Sequence, residues 1–208
     1  MSGHNKFSQI KHQKASEDGK RSKLFSILGR QISVQSKLAN GDVNSANLRA
    51  IIEKARKANM PNDSINRAVV KGVGSGEATL EEVVYECFGP GGVAIIIQGI
   101  TDSKNRTSQE IKHILSENGV ALGTPGSGAW AFTPSLASDG VYTFTPKNLI
   151  SISPEDQTKL EALTTALSDH DDVNKVTTNA EWLYWGLIRG MGNGCLIFDK
   201  FGIWLCYE

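Results

Sequence analysis

Two apolar runs divided by a glycine-rich break decide how this chain is organised: Val83-Val84-Tyr85-Glu86-Cys87-Phe88, then Gly89-Pro90-Gly91-Gly92, then Val93-Ala94-Ile95-Ile96-Ile97. Both runs are rich in β-branched and aromatic residues and too short for helices, and the break holds turn formers, so the stretch reads as a β-hairpin. The same break could cradle a phosphate, but strands on both sides make a turn the simpler reading. Downstream, Thr101 or Asp102 can cap a helix whose Ile111, Ile114 and Leu115 face the sheet and whose last turn ends at Asn118-Gly119. A strand is expected over Ala129 to Phe132, an extended piece at Tyr142-Thr143-Phe144, a helix from Ser153-Pro154 through Leu160, Leu163 and Leu167, and a strand over Val173 to Thr177. Helices on one face of a sheet make an α+β layer.

Upstream the period changes. Leu24, Phe25, Leu28, Ile32 and Leu38 recur at helical separations, as do Leu48, Ile51, Ile52 and Ala55, and Pro61 separates these from a third helix holding Ile65, Ala68 and Val69. Gly72-Val73-Gly74-Ser75-Gly76 reads as a flexible connector. The expected fold is therefore multi-domain, α and α+β: a three-helix domain over 1–75, an α/β sandwich domain over 76–181, and an aromatic, glycine-rich tail over 182–208. The tail carries three of the four Trp residues but is broken by Gly190, Gly192, Gly194 and Arg189, which makes a poor membrane span; an extra hairpin, or a segment covered by a partner, fits better.

The 208 residues carry 22 Lys+Arg and 22 Asp+Glu, a net charge of zero. Residues 1–75 nevertheless hold 14 basic and 5 acidic side chains, leaving 8 and 17 for the remainder. Net charge cancels only beyond a Debye length of about 10 Å, so the first part can meet a polyanion by itself. On one helix Lys23, Arg30 and Lys37 lie seven apart and form a row. Beside them Ser22, Ser26, Gly29, Ser33 and Ser36 are small enough to admit a backbone and can donate to phosphate oxygens. Lys6, Lys11, Lys14, Lys20 and Arg21 precede the row, and Arg49, Lys54, Arg56, Lys57, Arg67 and Lys71 extend the field over the next two helices. If about 6 of these meet phosphates, binding to duplex DNA should fall with salt at a logarithmic slope near −5. The alternative is that these cations only solvate helix surfaces. Phe7 and Phe25 are the region's only aromatics, so backbone or shape recognition is expected rather than base stacking.

Enzyme signatures are weak. Cys87, Cys195 and Cys206 form no C-x-x-C pair and the four His residues no zinc-binding set, so no metal, cofactor or small-molecule substrate is expected. Reduced thiols and the absence of a signal-peptide pattern at the amino terminus fit a cytoplasmic protein. Asp169, Asp171 and Asp172 around His170 read as a solvated helix end sooner than as a metal site. Thr101 to Thr107 reads as a helix cap, from which Arg106 could reach a phosphate.

Five blocks in order carry a resemblance: Ser2-Gly3-His4-Asn5-Lys6-Phe7-Ser8-Gln9-Ile10-Lys11-His12; Lys20-Arg21-Ser22-Lys23-Leu24-Phe25-Ser26; Lys57-Ala58-Asn59-Met60-Pro61; Tyr85-Glu86-Cys87-Phe88-Gly89-Pro90-Gly91-Gly92-Val93; and Thr101-Asp102-Ser103-Lys104-Asn105-Arg106-Thr107. Together they resemble the YebC family over roughly residues 1 to 181. The resemblance implies a helical amino-terminal domain, an α/β domain and a third domain inserted into the second. It also implies regulation of gene expression, either as a DNA-binding transcriptional regulator or as a translation factor bound to ribosomal RNA, with the ribosome as a partner. The third domain should begin after Phe132, yet a short loop from Thr133 to Gly140 leads straight to Tyr142, so that domain is expected to be missing. A rival reading is a protein-interaction module that works through the acidic α/β surface and the tail.

Overall fold

A computed structural model describes the backbone of residues 3–74 and 80–181 and two short strands at 197–198 and 204–205, with side chains for 17–74 and 80–181. Helix α1 runs unbroken from Gly3–Leu38, followed by α2 (Ala46–Lys57) and α3 (Asn62–Val73). The apolar period read from the sequence becomes their shared core: Leu28 and Ile32 of α1, Leu48, Ile51, Ile52 and Ala55 of α2, and Met60, Ile65 and Ala68 beyond it. Burying each of the Leu, Ile and Met side chains contributes about 1.5–3 kcal/mol. Asn59, in the left-handed region at φ 61°, turns the chain between α2 and α3, and the Met60 amide closes the turn on the Ala55 carbonyl at 3.0 Å.

Of the small residues of α1, Ser22 and Ser26 are exposed, but two others have another role than the expected one. Ser33 and Ser36 are buried and donate to the Ala68 and Val69 carbonyls of α3, each at 2.8 Å. A Cβ placed on Gly72 would stand 2.3 Å from the Ser33 carbonyl oxygen and 2.7 Å from Ser36 Cβ. Close approach of two helices, not of a nucleic-acid backbone, is what these two serines permit. Gly72 and Val73 accordingly belong to α3 and are no connector; Ser75 and Gly76 lie outside the described residues.

The α/β unit is built on the expected hairpin, β1 (Glu81–Phe88) paired antiparallel with β2 (Ala94–Thr101), Phe88 opposite Ala94. Gly91 and Gly92 turn it with φ of 70° and 75°. Helix α4 (Lys104–Glu117), a second hairpin of β3 (Phe132–Leu136) and β4 (Tyr142–Pro146), β5 (Ile150–Ser151), α5 (Pro154–Asp169), β6 (Val173–Thr178) and β7 (Ala180–Glu181) follow. β6 pairs antiparallel with β2, giving the order β1-β2-β6. Alternation along β2 sends Ile95 and Ile97 toward Ile111 and Leu115 of α4 and Leu160, Leu163 and Leu167 of α5. Ala94 and Ile96 point the other way, onto Ala131 and Phe132. Both faces of β2 are covered, which is why it reads as a continuous apolar run.

Two expected boundaries move. Ala129–Ala131 is a 3-10 turn, and the strand starts at Phe132 and runs to Leu136, into the expected loop from Thr133 to Gly140. The cause lies across the sheet: the buried Glu86 carboxylate accepts from the amides of Gly126, Gly128 and Ala129 at 2.8, 2.7 and 2.8 Å and curls that segment around itself. Ala137–Val141 then closes the β3–β4 hairpin in five residues, so no inserted domain lies between these strands. Of the tail, β8 (Ile197–Phe198) pairs antiparallel with β9 (Trp204–Leu205), and the rest lies outside the described residues. Among the described residues no helix is long and apolar enough to cross a membrane.

Candidate nucleic-acid interface

The basic residues of the helical unit fall into two sets that the sequence does not separate. Lys20, Arg21, Arg49, Arg56 and Lys57 are exposed and make no ion pair among the described residues. Arg49, Arg56 and Lys57 stand away from the buried Leu48, Ile51, Ile52 and Ala55 of α2, because an amphipathic helix turns one face to the core and the other to solvent. Lys54, Arg56 and Lys57 also occupy the last turn of α2, where positive charge complements the helix dipole. Arg67 is exposed but folds back on its own helix, donating to the Asp63 carbonyl at 3.2 Å and to Ser64 Oγ at 3.4 Å. Lys71 is exposed on the same helix, and Lys37 is exposed at the end of α1, where its charge is felt by Glu81. Lys6, Lys11 and Lys14 lie on α1, with side chains outside the described residues.

Lys23, Arg30 and Lys54 are held by the α/β unit instead of standing open. Lys23 Nζ donates to the Ser168 carbonyl and, at 3.3 Å, to the His170 carbonyl. Arg30 donates to the Asp171 carbonyl and pairs with Asp172 Oδ1 at 3.3 Å. These acceptors are the end of α5 and the turn after it, where carbonyls lack helical partners and the dipole is negative, so two cations from α1 complete them. Lys54 Nζ meets Asp139 Oδ2 at 3.0 Å on the tip of the β3–β4 hairpin. Beside it Gln35 Nε2 donates to the Gly140 carbonyl at 3.4 Å, and Val141 packs against the three-helix core. The row Lys23, Arg30, Lys37 therefore divides: its last member is exposed, and the first two bind the molecule's own second half.

Arg106, expected as a phosphate contact, is also engaged, with Asp102 at 2.7 Å, Asp172 at 3.1 Å and Glu110 at 3.9 Å. The cap is Ser103, not Thr101 or Asp102; Thr101 Oγ1 accepts from the Ser103 amide at 2.9 Å. Asp172 corrects the expectation of a solvated helix end, for it is 6% exposed and takes a 2.7 Å hydrogen bond from Thr107 Oγ1 in addition to both arginines. Burial works to raise its carboxyl, but Thr107, Arg106, the Arg30 charge and Thr101 together hold it below the ordinary Asp range. Glu86 behaves alike: burial raises it, and the amides of Gly126, Gly128 and Ala129 more than offset this. Glu110, His170 and Asp172 bring one ligand atom each within 4.8 Å of one another. His170 Nδ1, however, accepts from the Asp172 amide at 3.1 Å and its Nε2 faces Glu110 at 2.9 Å, while two arginines already neutralise Asp172. That is a poor environment for a cation. Cys87 is buried, its thiol pushed up to about 12.

Comparison with known proteins agrees with this architecture. Residues 5–75 match the TACO1/YebC protein N-terminal domain, and residues 80–136 the TACO1/YebC second and third domain. The chain belongs to the TACO1/YebC family. A probable transcriptional regulatory protein of Fervidobacterium nodosum is 37% identical over 235 positions, covering 86% of this chain and 93% of the relative. Because 235 positions exceed the 208 residues here, stretches of that relative face a gap in this family member. A protein of the same description from Desulfitobacterium hafniense is 48% identical over 135 residues, 64% of this chain and 54% of its own length. Among solved structures, a conserved hypothetical protein from Aquifex aeolicus superposes with a TM-score of 0.72 at 29% identity, covering 79% of this chain and 91% of its own.

Proposed function

We propose that this TACO1/YebC family member is a non-enzymatic, cytoplasmic regulator of gene expression whose helical unit holds the phosphate backbone of a nucleic acid. The observation that carries the reading is the set of exposed, unpaired cations Lys20, Arg21, Arg49, Arg56 and Lys57. Cations with no carboxylate partner keep their full attraction for a polyanion, and releasing condensed counterions drives the association. The relatives' description as probable transcriptional regulatory proteins favours DNA as the target. The acidic α/β unit, repelled by the same phosphates, would stay on the far side and meet protein components of a larger assembly.

The test is affinity for a short duplex as a function of salt. If all five open cations meet phosphates, the logarithmic slope is about −4 to −5 for duplex DNA. A slope near zero, or binding untouched by R49E/R56E/K57E, would overturn the reading. Sedimentation with ribosomes from a cell extract, with promoter DNA left unbound at moderate salt, would transfer it from DNA to ribosomal RNA.

A further inference from the structure

Lys23, Arg30 and Lys54 are bound by groups that imitate a phosphate backbone. Their acceptors are carbonyl oxygens of residues 168, 170 and 171 and the carboxylates of Asp172 and Asp139. All three contacts cross from the helical unit to the α/β unit, and they fall at two separate places, the turn after α5 and the tip of the β3–β4 hairpin. We propose that the α/β unit is an intramolecular competitor for nucleic acid: its two anionic tips cover three cations of the helical unit, and a phosphate backbone that reaches those cations must displace them. This rests on the nucleic-acid reading above and adds its regulation.

The physical basis is that one cation cannot satisfy a carboxylate and a phosphate in full at the same time. Two exclusive occupants of one site are coupled, so whatever loosens the tips strengthens binding, and bound nucleic acid loosens the tips in equal measure. The contacts suit displacement because they are polar and open on the cation side: the Lys54 side chain is 55% exposed and that of Arg30 24%, while Asp139 and Asp172 are largely covered. Salt and polyanions weaken such pairs far more than they weaken an apolar seam. Five open cations would make the first encounter, and up to three more join as the tips withdraw.

The full chain is tested as wild type, D172N and D139N, with short duplex DNA and duplex RNA as probes. D139N removes charge from a hairpin turn outside the sheet core, so it remains informative if D172N fails to fold by circular dichroism. Each variant is expected to bind the preferred duplex at least about 5-fold more tightly, the lower end of ordinary coupling energies. The salt slope should steepen by roughly 1 for each cation released. In parallel, the distance between probes at N44C and S116C is followed, with Cys195 and Cys206 replaced by Ser and the buried Cys87 left in place; added duplex is expected to lengthen it. If duplex binds well while the distance stays fixed and neither variant binds more tightly, the three contacts are permanent structure and the competition idea fails alone. If no variant binds either duplex, it fails together with the nucleic-acid reading.

Discussion

The outer face of α2 and the side of α1 carry the same kind of residue at the same kind of spacing, yet they meet opposite fates. Arg49, Arg56 and Lys57 on α2 have solvent in front of them, whereas Lys23 and Arg30 on α1 have the carbonyls and carboxylate of residues 168–172. α1 lies between the other two helices and the turn after α5, whereas α2 meets the α/β unit at the tip of the β3–β4 hairpin, through Lys54, and leaves Arg49, Arg56 and Lys57 uncovered. Positive charge counted in a sequence is therefore not positive charge available to a partner, and what decides availability is how many sides of a helix are covered.

The comparison breaks most completely if α1 and α3 are forced apart, since both faces depend on that packing. Gly72→Leu puts a side chain where even a Cβ would sit 2.3 Å from the Ser33 carbonyl, and the helical unit is expected to lose about 3 kcal/mol or more, seen as a lower urea midpoint. Next in size, R49E/R56E/K57E should weaken duplex binding on the order of 100-fold at low salt, because three open phosphate contacts are inverted. K23E, by contrast, should leave affinity nearly unchanged, because losing one covered cation and loosening the turn after α5 act in opposite directions, and should show itself as a weaker hold between the two units. That difference between α2 and α1 variants sharpens the contrast directly.

Asp172 and Glu86 give it a pH dependence. Both carboxyls lie below their ordinary values in the folded protein, so the stability they contribute is present above about pH 4, the range in which the unfolded chain titrates, and is lost as pH falls through the folded values. Urea unfolding at pH 3 and pH 6 should differ more for wild type than for D172N or E86Q, each charged network being worth about 1.5–3 kcal/mol. Smallest is Ser33→Ala, which leaves the Ala68 carbonyl one donor short at a cost of about 1 kcal/mol without altering duplex affinity, because Ser33 faces α3.

Much of the fold was legible because it rests on local periods. The β1–β2 hairpin, the three helices and the apolar faces of α4 and α5 stand where the residue spacing places them, save that Leu38, read as part of the apolar arc of α1, is exposed at its end. What was not legible depends on contacts between distant residues. The turn at Ala129–Ala131 exists because Glu86, more than forty positions earlier, gathers its amides. Ser33 and Ser36 carry the same hydroxyls whether they face phosphate or α3, and only the approach of Gly72 decides between the two. Lys23 and Arg30 were lost to the open surface in the same way, to a turn some 140 residues downstream. Reading a seven-residue row says which side chains share a face, and nothing local says what will lie against it.

The central claim is that the open cations of the helical unit carry the nucleic acid, and cross-linking of bound duplex to the intact protein, mapped by mass spectrometry, tests it most directly. Cross-links concentrated on residues 46–57 and around Lys20 and Arg21 are the expected result. Cross-links confined to the α/β sheet or to the tail, with none on residues 46–57, would contradict the account.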